Sequence, residues 1–277
     1  MPAERREWSD AELLVTFRLY CRTAFGRLHQ HNPEIIRLAE LIGRTSSAVA
    51  MKACNFASLD PQQQVRGIKA LGNVSRADRE LWEAFRNDSE AVAQEAEAAY
   101  ATLIGKDVED HIPELGCTEM DAARTLSAAK RKVVDEFKMP DGTTERDAVV
   151  KTRRVQSFFR ATVLASYDGR CALTGLAIPE LLNASHIIPW SVDEKRRADP
   201  CNGICLNAFH DRVFDRGLIS FDENLCVIVS PIVGELGECD IHRQQLLGIS
   251  GRLLRVPERF QPDTAALDYH RKNVFRR

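Results

Sequence analysis

Three side chains that can do chemistry stand at fixed steps in one stretch of the chain: His186, Asn202 and His210, separated by 16 and 8 residues. An imidazole exchanges protons near neutral pH without help from its surroundings, and in its neutral form it is a common metal ligand. The elements that must position these groups can be read from the flanking residues. Residues 181–190 are apolar with polar interruptions and close on Pro189-Trp190, which predicts a short strand. Residues 191–201 are charged and proline-punctuated, so they read as a loop. Gly203-Ile204-Cys205-Leu206 is a second short apolar run, and residues 207–216 have helical composition with Gly217 as the stop. Strand, loop, strand, helix is a ββα unit. In such a unit His186 and His210 can face each other across one small cleft, with a single divalent cation between them. Asn202 before Gly203 is also the ordinary signature of a tight turn.

The surroundings add to the pattern. Cys171 and Thr174-Gly175 precede the first histidine, Ser185-His186-Ile187-Ile188-Pro189-Trp190 surrounds it, and Phe214-Asp215 with Gly217 follows the last. Together with the order His, Asn, His, this stretch resembles the HNH nuclease motif, in the form found in bacterial restriction-type enzymes. The resemblance implies a metal-dependent DNA endonuclease, with defence against foreign DNA as its setting. It gives His186 the role of base towards water and His210 that of metal ligand. Asn202 either ligates the metal or fixes the loop and the His186 ring. Mg²⁺ (or Mn²⁺ or another divalent cation) would serve as Lewis acid for the charged phosphorus centre and the leaving oxygen. A hard cation keeps several waters, so few protein ligands are needed. The sequence departs from the motif at Ser185, where many HNH enzymes carry Asp or His as a ligand; Asp211 or Asp215 is placed to compensate, and Asp215 can equally brace the helix end. One such site cuts one strand, so cutting double-stranded DNA on both strands requires a homodimer or two successive nicks.

The whole chain has 277 residues, 44% hydrophobic and 28% charged, enough for a globular core and for two domains. Its start, Met1-Pro-Ala-Glu-Arg-Arg, does not read as a signal peptide, and no apolar run reaches membrane-spanning length, so a cytoplasmic protein with no membrane association is expected. Eight cysteines are present without a CxxC pair. Reduced, buried thiols are expected; Cys201 and Cys205 with Cys171 or Cys226 form the alternative, a zinc cluster. The net charge is −2, but it is unevenly spread: residues 1–76 carry 11 basic and 7 acidic side chains, residues 77–124 carry 4 and 13, and residues 151–216 carry 10 and 7. Basic ends flanking an acidic middle leave room for nucleic-acid binding despite the overall sign.

The N-terminal part reads as helices. Ser9 is a plausible cap for the first and Pro33 opens the second. Residues 35–54, IIRLAELIGRTSSAVAMKAC, are similar to a helix-turn-helix, with Ala39 at the crossing, Gly43 at the turn and Val49 packing back. In that reading Ser46, Ser47, Lys52 and Asn55 reach a DNA groove and Arg44 meets the backbone, although Lys52 stands where such motifs carry an apolar residue. A plain helical hairpin is the alternative. Ser75 caps a single long helix over residues 77–104, another helix covers 118–137, and the turn-rich residues 139–144 are a linker. The domains expected are therefore 1–140, helical and DNA-engaging, and 141–277, the nuclease. After the linker, Val155, Phe158, Phe159, Thr162, Val163 and Tyr167 give one amphipathic helix. Lys195, Arg196 and Arg197, close to the hairpin, are the phosphate-binding candidates. Residues 218–221 and 225–229 read as a further hairpin, and the C-terminal end as a loop and a short helix bearing His270.

The expected fold is α+β: a mostly α-helical N-terminal domain with a helix-turn-helix-like unit, then a C-terminal ββα-metal nuclease domain. Two other readings remain beside the endonuclease. One is a DNA-binding regulator whose nuclease fold has degenerated, which Ser185 favours. The other is an effector nuclease gated by a ligand at the N-terminal domain, which a pocket lined by polar groups would favour.

Overall fold

The computed structural model describes residues 6–67, 74–105, 143–235 and 239–277. The N-terminal helices begin where side-chain oxygens can satisfy free backbone amides. Ser9 and Glu12 form a capping box on α1 (Asp10–Arg22), and Asn32 with Pro33 opens α2 (Pro33–Ile42). Gly43 ends α2 in the left-handed region at φ 64°, and Thr45 caps α3 (Ser46–Leu59). Asp60 then caps the short α4 (Pro61–Val65), and a second capping box of Ser75 and Asp78 opens α5 (Arg76–Asn87). The single long helix expected over 77–104 is two helices. Asp88 leaves helical geometry at φ −149° and turns its carboxylate to the amide of Ala91, starting α6 (Ser89–Leu103). An aspartate competes for backbone amides, which makes it a poor interior residue and a good cap.

Ala39 and Val49 are buried at the contact of α2 with α3. α3 does not stand out from the surface, however: it packs on α1, α2 and α5, and Ala53, Phe56 and Ala57 are fully enclosed. The domain boundary expected at 140/141, with the helix over 118–137 and most of the linker, lies outside the described residues.

The second half starts with α7 (Thr143–Ser166), followed by β1 (Leu182–His186) and β2 (Gly203–Asn207), which pair antiparallel with Leu182 opposite Asn207 and His186 opposite Gly203. α8 (Ala208–Asp215) follows, capped by Asn207, and Gly217 at φ 68° stops it. The second hairpin is β3 (Ile219–Phe221) with β4 (Val227–Val229), then come α9 (Pro231–Glu235), α10 (Asp240–Gln245) and α11 (Thr264–Asn273).

α7 is wall to two cores. Phe158 enters an aromatic cluster with Phe17, Tyr20, Phe56, Trp82 and Phe85, joined by Phe260 from the C-terminal segment. Phe159 and Val163 enter the core beneath the ββα hairpin, with Ile204, Leu206 and Phe214. Neighbouring residues on a helix project about 100° apart, so one helix can serve both sides. No helix among the described residues is long and apolar enough to cross a membrane.

Candidate active site

Side chains alternate across a strand, and β1 uses both of its faces. Asn183 and Ser185 point towards α8, where both donate to the carboxylate of Asp211, Asn183 from Nδ2 at 2.8 Å and Ser185 through its hydroxyl. His186 points the other way, towards α7. Its ring lies flat on Phe159, with centroids 3.7 Å apart and planes 13° apart, and Trp190 meets it edge-on at 5.4 Å.

The His186 ring is only partly enclosed by area, yet enough protein surrounds it that burial lowers its pKa to about 4. It is neutral at physiological pH. Nε2 lies 3.0 Å from the carbonyl oxygen of Arg197. A carbonyl only accepts, so Nε2 carries the proton and Nδ1 keeps its lone pair. This is the tautomer a general base needs, fixed by a backbone group.

Asn202 holds the loop that supplies that carbonyl. Its side chain is buried, accepts from the amide of Ile188 at 2.8 Å and donates to the carbonyl of Ile188 at 3.2 Å. The loop is secured from outside as well. Arg197 donates to the Trp190 carbonyl at 2.9 Å and pairs with Glu90 at 3.4 Å and Glu194 at 3.2 Å. Arg196 pairs with Asp199 at 2.8 Å and Asp263 at 2.9 Å. Both guanidinium groups are thus engaged by protein carboxylates, and Lys195 is the member of the three with an exposed side chain and no ion pair among the described residues.

His210 is not in the cleft with His186. It is fully buried, Nδ1 faces the Asn207 amide group at 3.0 Å and Nε2 the Gln245 carbonyl at 3.0 Å, so both ring nitrogens are used. Burial pushes the nearby Cys171 thiol up, but hydrogen bonding with its neighbours, Thr174 among them, outweighs burial and brings it down to about 7. His270 is likewise a core residue, stacked on Phe214 at 3.9 Å and bonded to Ser220 and the Phe214 carbonyl.

The N-terminal candidates lie on α3 and just before it. Lys52 is turned inward, with its ammonium 2.8 and 3.1 Å from the two oxygens of buried Asp78, and Asn55 shares that carboxylate at 3.4 Å. Arg44 pairs with Glu12 at 2.8 Å and lies over the Trp8 ring at 4.0 Å. Ser46 and Ser47 sit in the first turn of α3, Ser47 exposed and Ser46 half-buried.

Among the described residues no group of three or more His, Cys, Asp or Glu converges on a possible metal position. The oxygen set formed by Asp211, Ser185 and Asn183 has the composition a hard cation accepts, one carboxylate with neutral oxygens and water for the rest. Burial raises the Asp211 pKa, partly opposed by the hydrogen bonds from Ser185 and Asn183. The described cysteines are free thiols.

Residues 171–222 match the family model described as HNH endonuclease. This segment is an HNH endonuclease domain. The comparison with curated proteins gave no match. The matched HNH segment covers β1, the loop, β2, α8 and β3 with Trp190, Arg197 and Asn202, while Phe159, Glu90 and Asp263 come from outside it. Two contributors were not singled out from the sequence: Asn183, which steadies Asp211, and the Arg197 carbonyl. Asn207 could have been found, since Asn directly before a helix is a cap.

Proposed function

We propose that the protein is a metal-dependent DNA endonuclease in which the His186 imidazole takes a proton from the attacking water. The observation that carries this is the fixed tautomer: a neutral ring with Nε2–H on the Arg197 carbonyl and an Nδ1 lone pair that no described side chain claims. General-base assistance of this kind contributes roughly 10²- to 10⁴-fold.

Asp211, aided by Ser185 and Asn183, is the residue set that would hold the cation, in preference to His210. When bound, a divalent ion supplies Lewis acidity to the phosphoryl group and leaving oxygen. Ser185 and His186 are consecutive, with α-carbons about 3.8 Å apart, so a phosphate lying over the strand end can meet both faces. With Ser185 in place of the family's ligand, the carboxylate that reaches the same face from α8 supports an active site over a degenerate fold. Lys195 is the phosphate contact that the ion-pairing pattern leaves available. Asn202 acts by holding the loop.

The test is cleavage of supercoiled and linear DNA with Mg²⁺, Mn²⁺ or EDTA. His186→Ala should lower the rate by roughly 10²- to 10⁴-fold, far more than the loss of folded protein read from its melting curve. Asp211→Asn should raise the Mg²⁺ concentration needed for half-maximal rate. Wild-type protein that binds DNA without cutting it in any metal would overturn the reading. A plasmid time course also separates nicking from double-strand cutting, and so tests the homodimer.

A further inference from the structure

A cavity of about 520 Å³ lies between the N-terminal helices and the hairpin loop, within the range of roughly 300–1,000 Å³ typical of small-molecule sites. Its walls include Trp82, Phe85 and Phe260, and the Trp82 and Phe260 rings are stacked at 6.3 Å with 17° between planes. Asp60 also lines it and is only 3% exposed. One Asp60 oxygen, Oδ1, accepts from the Gln62 amide at 2.9 Å, while Oδ2 is buried with no hydrogen-bond partner. Burial pushes the carboxyl pKa up, against the pull of nearby backbone amides and of Arg259. A buried acceptor without a donor is costly and rare in folded proteins.

The other charges in the cavity are differently placed. Asp199 and Asp263 already share Arg196. Arg86 stands at the rim with its side chain 57% exposed, and its carboxylate neighbour Glu83 is a distant 4.0 Å away. An aromatic wall asks for a planar ring, Asp60 Oδ2 asks for an N–H, and Arg86 asks for an anion outside. An apolar ligand would leave Asp60 unpaired, and a simple amine would gain nothing from Arg86.

We propose that this cavity binds a nucleobase, its ring against Trp82 and Phe260, an N–H on Asp60 and its phosphate towards Arg86. The base can come from a free nucleotide or be turned out of a DNA duplex, since the recognising chemistry is the same. The site goes beyond the nuclease reading, although the two adjoin: Arg196, Asp199 and Cys201 in the cavity wall belong to the loop that carries the Arg197 carbonyl and Asn202.

Binding is measured without any cleavage, so failure here is distinct from failure of the nuclease reading. Guanosine, adenosine, cytidine, uridine and thymidine monophosphates are titrated by calorimetry against the full chain. A duplex containing 2-aminopurine is titrated by fluorescence. The informative variant is Asp60→Asn, because asparagine keeps the cap on α4 and puts an amide donor where the free oxygen was. Thermal melting verifies its fold, and the exposed Arg86→Ala is the second variant. Saturable binding of a mononucleotide, weakened roughly tenfold to a hundredfold by Asp60→Asn and several-fold by Arg86→Ala, establishes the site for free nucleotides. No mononucleotide binding, but a 2-aminopurine rise in the wild type that Asp60→Asn abolishes, assigns it to an extruded base. No binding at millimolar nucleotide with equal 2-aminopurine signals in both proteins overturns the proposal, as does binding that Asp60→Asn leaves unchanged.

Discussion

The N-terminal helices and the ββα hairpin both bury polar side chains, and they treat them oppositely. In the helices charge meets charge: Lys52 with Asp78 at 2.8 Å, Arg18 with Glu97 at 2.9 Å, Arg44 with Glu12 at 2.8 Å. Each pair holds two elements together and leaves little for a ligand. In the hairpin the reactive groups are held by neutral partners. The His186 ring is fixed by a backbone carbonyl, the Phe159 face and the Trp190 edge, and Asp211 by a hydroxyl and an amide. The difference separates residues that join helices from residues that can act on something. Arg6, Arg18, Arg22, Arg44 and Lys52 belong to the former, whereas Arg27 and Arg37 are exposed.

The sharpest way to break this comparison is Asp78→Ala. It would strand the buried Lys52 ammonium and should cost about 3–5 kcal/mol of folding stability, read from urea denaturation. Replacing both residues by apolar ones, Lys52→Met with Asp78→Leu, should recover most of that loss. A cost below about 1 kcal/mol for the single variant would mean that the pair is solvated and the α3 face open to water.

A smaller effect is expected from Gly203→Ala on the hairpin side. A Cβ there would stand 2.5 Å from Val163 Cγ2 and 2.8 Å from Phe159 Cζ. Overpacking of this kind costs about 1–3 kcal/mol. Because Phe159 carries the His186 ring, cleavage should fall by more than the melting shift accounts for. Equal losses would argue that Phe159 is a packing residue only.

The mildest test is acid. His186 and His270 both have pKa values lowered to about 4 by burial. Unfolded imidazoles take up protons from about pH 6.5, folded ones only near 4, so the unfolded state binds more protons between those values and stability falls as the pH drops through that window. The buried carboxyls of Asp60 and Asp199, with raised pKa, act in the opposite direction. Comparing wild type with His270→Gln by urea midpoints at pH 7 and pH 5 isolates the imidazole part. An identical pH dependence in the two proteins would show that His270 is not enclosed as described.

Much of the scaffold is legible in the sequence because its signals act within a few residues. Ser9 with Glu12 and Ser75 with Asp78 are capping boxes three residues apart, and the order strand, loop, strand, helix around His186 follows from apolar runs broken by glycine and proline. The HNH motif itself is local in the same sense, and residues 171–222 carry it. Asp88 shows the limit: as one acidic residue in a helical run it gives little warning that it will end one helix and cap the next.

The environment of each side chain was decided elsewhere. His210 stands at the motif's spacing, yet its ring is consumed by Gln245, 35 residues away, and Lys52 by Asp78, 26 residues away. Arg259 reaches across 239 residues to the carbonyl of Tyr20, beside the cavity that Asp60 and Trp82 line. Spacing places a residue on an element and caps tell where that element starts. Which way its side chain is satisfied depends on the partners that packing brings from distant parts of the chain, and only the tertiary structure supplies those.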